Sequence, residues 1–600
     1  MQQKIINPED LAFQLYELHN VEQMLNFSRY CEHSRETLQA ALDLALKIAV
    51  DEFTPHARLV DEEEPRFENG RVYMRPEVKK ALDILKDTGL MAASQDYELG
   101  GMQLPSAIAQ MCVGFLKGAN VGTQSYAGLT IAAANLIMAQ GSKVQQTRFA
   151  VPMIAGRFFG TMCLTEPQAG SSLGDLRSRA EPQLDGTYRL FGNKIYISGG
   201  DHELSENIIH MVLARTPNAP PGVKGISLFL VPKILVNEDG SLGKRNDVAL
   251  AGLIHKMGYR GTTSTILNFG EKEGAIGYLI GEENNGLAAM FQMMNEARIS
   301  VGLGSVMLGY TGYLHALEYA KERNQGRLMG EKGLTSPQVA LIKHADIRRM
   351  LLAQKVYVEG GLALCLQGSM LVDEKKYAHT EEDRSLAAGL LDLLTPVIKS
   401  WPSRYCLEAN NLSIQVHGGY GYTREYPVEQ FYRDNRLNPI HEGTHGIQAI
   451  DLLGRKVFTA DGVFYQELMN RIEATIDQAQ QQPRLKEIAE QLQQAMATIK
   501  DITLAVNHEI NNGDKTKALA NATIYLDIFG HLVVGWLWLR QGIKAIDGLA
   551  GKGKQSSAFY EGKIQACTYF SRYELPIISS MATLLRSIDT TSLDILDDQF

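Results

Sequence analysis

Hydrophobic positions near the N-terminus fall on a helical period. From Ser34 through Glu52 they recur at Leu38, Ala41, Leu42, Ala45 and Ala49, the i, i+3, i+4 stripe of a helix that buries one face. Ahead of it, Asn7-Pro8-Glu9-Asp10 has the form of a capped helix start, with Pro in the first turn and acids complementing the dipole. Glu77 to Thr88, opened by Pro76, and then Gln103 to Leu116 and Thr130 to Gln140 keep the same period. A polar insert from Asp61 to Arg75 interrupts them and carries the turn signal Asn69-Gly70. Residues 1–34 are thus predicted as a helical extension and 35–158 as an α-helical domain. Near Phe159 the helical period is lost. Phe159 to Thr165, Tyr188 to Ser198, Ile208 to Arg215, Gly225 to Val231 and Ser264 to Phe269 are short and rich in β-branched and aromatic residues, separated by Asp-Gly, Gly-Gly or Pro turns. They predict a β-barrel-like middle domain over 159–275, with a hairpin at Leu184-Asp185-Gly186-Thr187. Helical period returns in Leu287 to Arg327, which holds no Pro, and continues in Pro337 to Gln367, Ser385 to Glu408 and the segment after Thr444. That set predicts a four-helix bundle over 276–459. Phe464 to Gln482, Pro483 to Asn511, Lys515 to Ala545 and Lys554 to Arg586 predict an additional C-terminal helical domain over 460–600. The fold class is α+β.

Composition changes this picture little. A 600-residue chain exceeds the size at which a single core stops growing, so several domains are expected. Hydrophobic and charged contents of 45% and 21% are those of a soluble globular protein. A net charge of −9 gives no basic footprint for nucleic acid. The six cysteines are scattered without CxxC or Cys/His spacing, so reduced thiols and no metal are expected. The N-terminus lacks a basic segment followed by an apolar one, and a cytoplasmic protein is the expectation. The strongest apolar run, Leu532 to Leu539, is shorter than the roughly 20 residues of a membrane-spanning helix. A buried or interface helix is expected there, and no membrane span.

Candidate chemistry concentrates in Gln415 to Gln448, QVHGGYGYTREYPVEQFYRDNRLNPIHEGTHGIQ. Gly418, Gly419 and Gly421 suit tight turns or close approach of backbone to a ligand. Pro439 and Ile440 precede Glu442, whose carboxylate is a candidate general base beside an apolar wall. Taken alone, the same residues also fit an interhelical turn followed by an acid at a helix N-terminus.

The run Q-x-x-G-G-x-G-Y-x-x-E-Y-P-V-E, followed by R-D and E-G-T, resembles the C-terminal signature of the acyl-CoA dehydrogenase family. CLTEPQAGSS, Cys163 to Ser172, resembles that family's V-T-E-P-x-A-G-S loop, and KIYISGG, Lys194 to Gly200, its K-x-W/Y-I-T/S-N-G segment. Leu253 to Phe269 resembles a strand pair of the same family. The resemblance implies the family fold, an FAD cofactor and α,β-dehydrogenation of a saturated acyl-CoA to the trans-2-enoyl-CoA. Glu442 would take the α-proton, hydride would pass to the flavin, and an electron-transfer flavoprotein would accept the electrons. Met162, Leu164, Thr165, Gly170, Ser171, Tyr196 and Ser198 would contact FAD. Arg323, Gln415, Gly418, Gly419 and Thr444 would also contact FAD, with Arg323 reaching a flavin held mainly by another subunit. Ser171, Asn295, Arg298, His441 and Gly443 would meet the acyl-CoA. Asn295 replaces a family Asp, His441 a Tyr and Ser172 an Asp. Two branches of the family carry the base just before the Arg of the helix holding Arg298. Ala297 stands there, with Glu296 about 100° round the helix. The extensions at both ends are similar to the long bacterial members that group with 3-methylmercaptopropionyl-CoA dehydrogenase, and imply a homodimer. Alternatives that remain are an acyl-CoA oxidase, a DNA-binding flavoprotein like the alkylation-response branch, and a scaffold without chemistry.

Overall fold

The computed structural model describes residues 4–328 and 336–600, without the side chains of 292–295. The chain divides into two compact units, Arg35–Ala297 and Met1–Ser34 with Arg298–Phe600.

The Arg35–Ala297 unit joins helices to an eight-stranded sheet. Its helices include Arg35–Ile48, Pro76–Asp87 and Ser106–Gln140. The polar insert forms a small hairpin, β1 (Arg66–Glu68) with β2 (Arg71–Tyr73). Both turn residues take the left-handed conformation, Asn69 at φ 51° and Gly70 at φ 76°, as a two-residue hairpin needs. The remaining strands are β3 (Phe158–Cys163), β4 (Arg179–Pro182), β5 (Tyr188–Ser198), β6 (Asn207–Ala214), β7 (Ser227–Pro232), β8 (Ile234–Val236), β9 (Leu242–Arg245), β10 (Val248–Leu253), β11 (Ser264–Phe269) and β12 (Ala275–Ile280). The large sheet runs β10-β11-β5-β12-β7-β6-β3, with β4 also paired to β5, while β8 and β9 form a separate pair. β3 and β6 are parallel and the other pairs antiparallel.

Every residue of β6 is buried, and its alternation sorts them onto two cores. Ile209, Met211 and Leu213 join Ala133, Ile137 and Phe149 on one face, whereas Val212 and Ala214 join Phe229, Leu267 and Phe269 on the other. A strand covered on both faces reads as a continuous apolar run, because successive side chains point to opposite sides.

Two expectations change here. Gln103 to Leu116 and Thr130 to Gln140 are parts of one helix, Ser106–Gln140, with non-helical angles only at Asn120. Between them residues 117–124 are all buried, so no amphipathic stripe marks that stretch. The Asn120 side chain supports the kink, accepting from Thr123 N at 3.1 Å and donating to the Phe53 carbonyl at 3.3 Å. β12 was not among the predicted strands, yet it lies between β5 and β7. Its Gly277 leaves room for Leu190, whose Cδ1 stands 2.5 Å from where a Cβ would be.

The other unit is helical. The bundle helices are Gly286–Glu322, which begins in the first unit, Ala345–Tyr377, Glu381–His417 and His445–Gly454, with the short Val428–Asn435. The third runs past its predicted end at Glu408 and carries Pro396 and Pro402 inside it. Thr380 caps it, accepting from Asp383 N at 3.0 Å. Beyond lie Val463–Gln480, Lys486–Asn512, Ala522–Asp547, Ser557–Tyr569 and Ile577–Arg586. The N-terminal extension is tied in by Lys563, fully buried, which donates to Asp10 at 2.5 Å and to Glu359 and Gln541 at 2.8 Å. Burying an ammonium is costly, and the two carboxylates here offset that cost. The segment Ala522–Lys552 is long and apolar enough to cross a bilayer by length and composition, but 83% of its most apolar window is buried inside the protein.

Candidate functional site

In the Arg35–Ala297 unit the two flavin-like motifs are fastened together by one ion pair. Lys194, in β5, is fully buried and donates to Glu166 Oε1 at 2.8 Å and to the Leu164 carbonyl at 3.0 Å. Glu166 also accepts from Arg177 N at 2.7 Å, Ser178 N at 3.0 Å and Ser178 Oγ at 2.6 Å. Burial would raise its carboxyl, but the Lys194 ammonium and these donors bring it down to about 2. The Thr165 carbonyl accepts from Ile195 N at 3.0 Å, so the loop lies along the strand. At the same point β5 bulges against β11, with Ile195 and Tyr196 opposite the single residue Ile266. Bulges re-aim side chains. Tyr196 sits at φ 61° and its side chain is turned out, 64% exposed. A left-handed tyrosine costs about 1–3 kcal/mol and marks a functional site when the surroundings impose it.

Met162 and Leu164 are half-buried against the core, and Thr165 and Ser198 are half-buried beside the bulge. Gly170 and Ser171 are exposed further along the loop, where a Cβ on Gly170 would meet nothing within 4 Å. The donor set fits a flavin: a bare aromatic face, two hydroxyls near it, and an open glycine loop for a phosphate. Glu296 is engaged by Asn135, whose Nδ2 donates to it at 3.1 Å. The Asn295 side chain lies outside the described residues.

Two sets of residues stand out in the helical unit. One is exposed. Arg323 follows the helix Gly286–Glu322 and lies over the Tyr420 ring at 5.9 Å, with no carboxylate partner among the described residues. Gln415 accepts from Gly418 N through its carbonyl, and Gly418 and Gly419 have open space where a Cβ would stand. Stacking of Tyr319 on His417, at 4.4 Å between centroids, holds the two helix ends together.

The other set surrounds Glu442. The Val428–Asn435 helix is followed by a tight segment in which Ile440 N and His441 N both donate to the Leu437 carbonyl. The next helix starts at His445, where Thr444 Oγ1 caps Ile447 N at 3.4 Å. Between them Glu442 has φ 54° and Gly443 φ 89°. Gly443 is required twice over, because a Cβ there would also stand 2.4 Å from Gln448 Nε2. Both carbonyls of this turn are taken. Gln448 Nε2 donates to the Glu442 carbonyl at 3.0 Å, and Lys399 Nζ donates to the Gly443 carbonyl at 2.7 Å. Among the described residues the Glu442 N–H donates to no protein acceptor and its half-buried carboxylate takes no hydrogen bond or close ion pair.

The charges nearby differ from the apolar wall expected from Pro439 and Ile440, since Ile440 is 51% exposed. Instead the carboxylate feels two buried cations, Arg298 and Lys399. Burial raises the Glu442 carboxyl above its ordinary value, and Arg298 and Lys399 partly pull it back. Lys399 is brought down to about 7 by burial, with Glu442 opposing and Arg298 adding to the fall. Arg298 Nη1 is 3.8 Å from Asp451 Oδ2. His441 Nε2 is 3.0 Å from Asn438 Oδ1. Thus the structure brings Glu442, Gly443, Thr444 and Arg298 together, along with three residues that sequence reasoning did not single out: Lys399, Gln448 and Asp451. A signal for the first was present. A lone lysine inside LLTPVIKSW can be accommodated only if something buried receives its charge.

Comparison with known proteins gives the family. The family models described as "Acyl-CoA dehydrogenase, middle domain", "Acyl-CoA dehydrogenase, C-terminal domain" and "Acetyl-CoA dehydrogenase C-terminal like" match residues 161–271, 284–457 and 468–595. The chain belongs to the acyl-CoA dehydrogenase family, whose members are FAD-dependent oxidoreductases. It is 36% identical over 570 residues to 3-methylmercaptopropionyl-CoA dehydrogenase of Ruegeria pomeroyi, covering 94% of this chain and 95% of that one. It is 33% identical to the broad-specificity linear acyl-CoA dehydrogenase FadE5 of Mycobacterium tuberculosis, with 99% of each covered. In fold it is similar to Caenorhabditis elegans ACDH-11 in complex with C11-CoA, with a TM-score of 0.77 at 19% identity over 99% of this chain and 97% of that one.

Proposed function

We propose that this FAD-dependent acyl-CoA dehydrogenase uses Glu442 as the base that removes the α-proton of a saturated acyl-CoA. The observation that carries the reading is that one left-handed residue offers both an unengaged carboxylate and an unengaged N–H. Removing a proton next to a thioester is hard for a carboxylate of ordinary pKa, about 4.3. Burial makes Glu442 a stronger base, while Arg298 and Lys399 keep part of its charge balanced. As the proton leaves, negative charge grows on the thioester carbonyl, and a preset N–H donor there lowers the barrier. The Glu442 N–H is that donor. FAD, when bound, supplies the hydride acceptor. Thr165 and Ser198 would address its ring, Tyr196 would stack, and Gly170 and Ser171 would serve its phosphates or the substrate. His441 and Gly443 would shape the acyl end of the pocket, and Asn295 and Arg298 the CoA side.

Arg323, Gln415, Gly418 and Gly419 form an open, cationic patch suited to a phosphate held mainly by a second copy, so a homodimer is the proposed assembly; a light-scattering mass of one chain would exclude it. Electron-transfer flavoprotein is the proposed acceptor, tested by its reduction under anaerobic conditions. The defining experiment is Glu442→Gln. It should retain FAD and acyl-CoA binding yet reduce its flavin about 10²- to 10⁴-fold more slowly in anaerobic single turnover, the usual contribution of a positioned base. A variant within about tenfold of wild type would remove Glu442 from this role.

A further inference from the structure

The turn that carries Glu442 is held from below by side chains with no evident part in proton transfer. Lys399 comes from the helix Glu381–His417, is fully buried, and ends on the Gly443 carbonyl. Gln448 comes from the helix His445–Gly454, is fully buried, and ends on the Glu442 carbonyl. Both acceptors of the turn are thus occupied from inside, while the Glu442 N–H donates to no acceptor among the described residues. The left-handed backbone at Glu442 is strained and persists only where the surroundings impose it.

We infer that Lys399 is a positioning residue, whose buried ammonium holds the Gly443 carbonyl and, as a cation beside Glu442, keeps that carboxylate available as base. The inference rests on the reading of Glu442 as base and deepens it. A neutral donor such as Gln448 serves the neighbouring carbonyl, so the carbonyl alone does not require a charge at Lys399. Burying an ammonium that has no close carboxylate partner is costly and pulls Lys399 down to about 7, so its charge is present on the acid side of that value, where the acid limb of the rate lies. Other charged groups around Lys399 are already matched or of like sign. Asp451 stands by Arg298 at 3.8 Å and by Arg455 at 2.6 Å. Asp392 pairs with Lys456, and Arg404 with Asp527. His445 is pushed down to about 4 by burial and by Lys399, Arg404 and Arg436, so it is neutral at pH 7. Among the described residues Glu442 is therefore the anion left for Lys399 to act on.

The sign of the effect follows. A nearby cation favours the carboxylate, so removing it raises the Glu442 carboxyl further and moves the acid limb of the rate profile to higher pH. The test is anaerobic single-turnover flavin reduction from pH 5 to 9, with the best substrate of a panel from butyryl- to palmitoyl-CoA. Lys399→Met, Lys399→Gln and Glu442→Gln are compared with wild type as FAD-loaded enzymes. Lys399→Met should shift the acid limb up by about one pH unit, and roughly tenfold less of the plateau rate should remain. Lys399→Gln, which keeps an N–H for the Gly443 carbonyl, should show the same shift while recovering most of the plateau. If Lys399→Met does not hold FAD, the shift in Lys399→Gln decides. An unshifted acid limb in the variants that load FAD, with Glu442→Gln inactive, overturns the role of Lys399 and leaves the base intact. An active Glu442→Gln overturns the base itself.

Discussion

Lys194 and Lys399 are both fully buried, and each acts on a glutamate, yet the two glutamates end with opposite acidities. Glu166 receives the Lys194 ammonium at 2.8 Å together with a hydroxyl and two backbone N–H groups, and its carboxyl falls to about 2. Glu442 receives none of these contacts, and burial carries its carboxyl upward even with two cations in the neighbourhood. The difference lies in where the ammonium points. Lys194 donates to the carboxylate itself, whereas Lys399 donates to a carbonyl one residue beyond it. A fully bonded carboxylate is a poor base and a good fastener, and one held near charge without being bonded is the reverse.

The largest effect that could break this comparison is on stability. Lys194→Met leaves Glu166 buried without its cation and should cost about 3–5 kcal/mol, read as a fall in the urea midpoint. Lys399→Met removes a buried charge that has no bonded carboxylate, and should cost clearly less. Equal losses would show that the two lysines do the same work.

A pH series sharpens the contrast. Glu166 has a depressed folded value, so its stabilisation is present above its unfolded value of 4.5 and is lost as pH falls from there towards 2. The gap in unfolding free energy between wild type and Glu166→Gln should therefore narrow by about 3 kcal/mol over that window. Burial pulls Lys194 itself down, with the Glu166 carboxylate opposing the fall. Glu442 has the opposite sign, being raised, and contributes no stability that acid would remove.

Smaller effects come from the turn. Gly443→Ala places a Cβ at φ 89° and against Gln448, a strain of about 1–3 kcal/mol, and should slow flavin reduction while FAD content holds. Thr444→Ala removes the cap of the helix His445–Gly454 and should lower stability by about 1 kcal/mol, visible as a small drop in Tm.

Much of the fold was legible along the chain because its signals are local. Asn69-Gly70 and Leu184 to Thr187 make hairpin turns wherever the flanking strands go, and the aromatic and β-branched run Tyr188 to Ser198, bounded by turn signals, marks β5 to the residue. Asn7 caps its helix as Asn-Pro-Glu-Asp suggests, accepting from Glu9 N at 3.1 Å. The join between Leu116 and Thr130 was not legible, since residues 117–124 are all buried and show no stripe, and neither was β12, a six-residue strand that directly follows a charged turn.

What the sequence by itself determined was identity and local geometry: the family motifs, glycine where the backbone must turn left-handed at Gly443, and a carboxylate at Glu442 in the E-G-T run. Only the tertiary structure decided what kind of carboxylate it is. Acidity depends on burial and on charges across space, and Arg298 and Lys399 stand 144 and 43 residues away along the chain. No pattern of neighbours in the sequence encodes that Lys399 ends on the Gly443 carbonyl while Lys194 ends on Glu166. The packing of separate helices and strands sets those endpoints, and with them the difference between a base and a fastener.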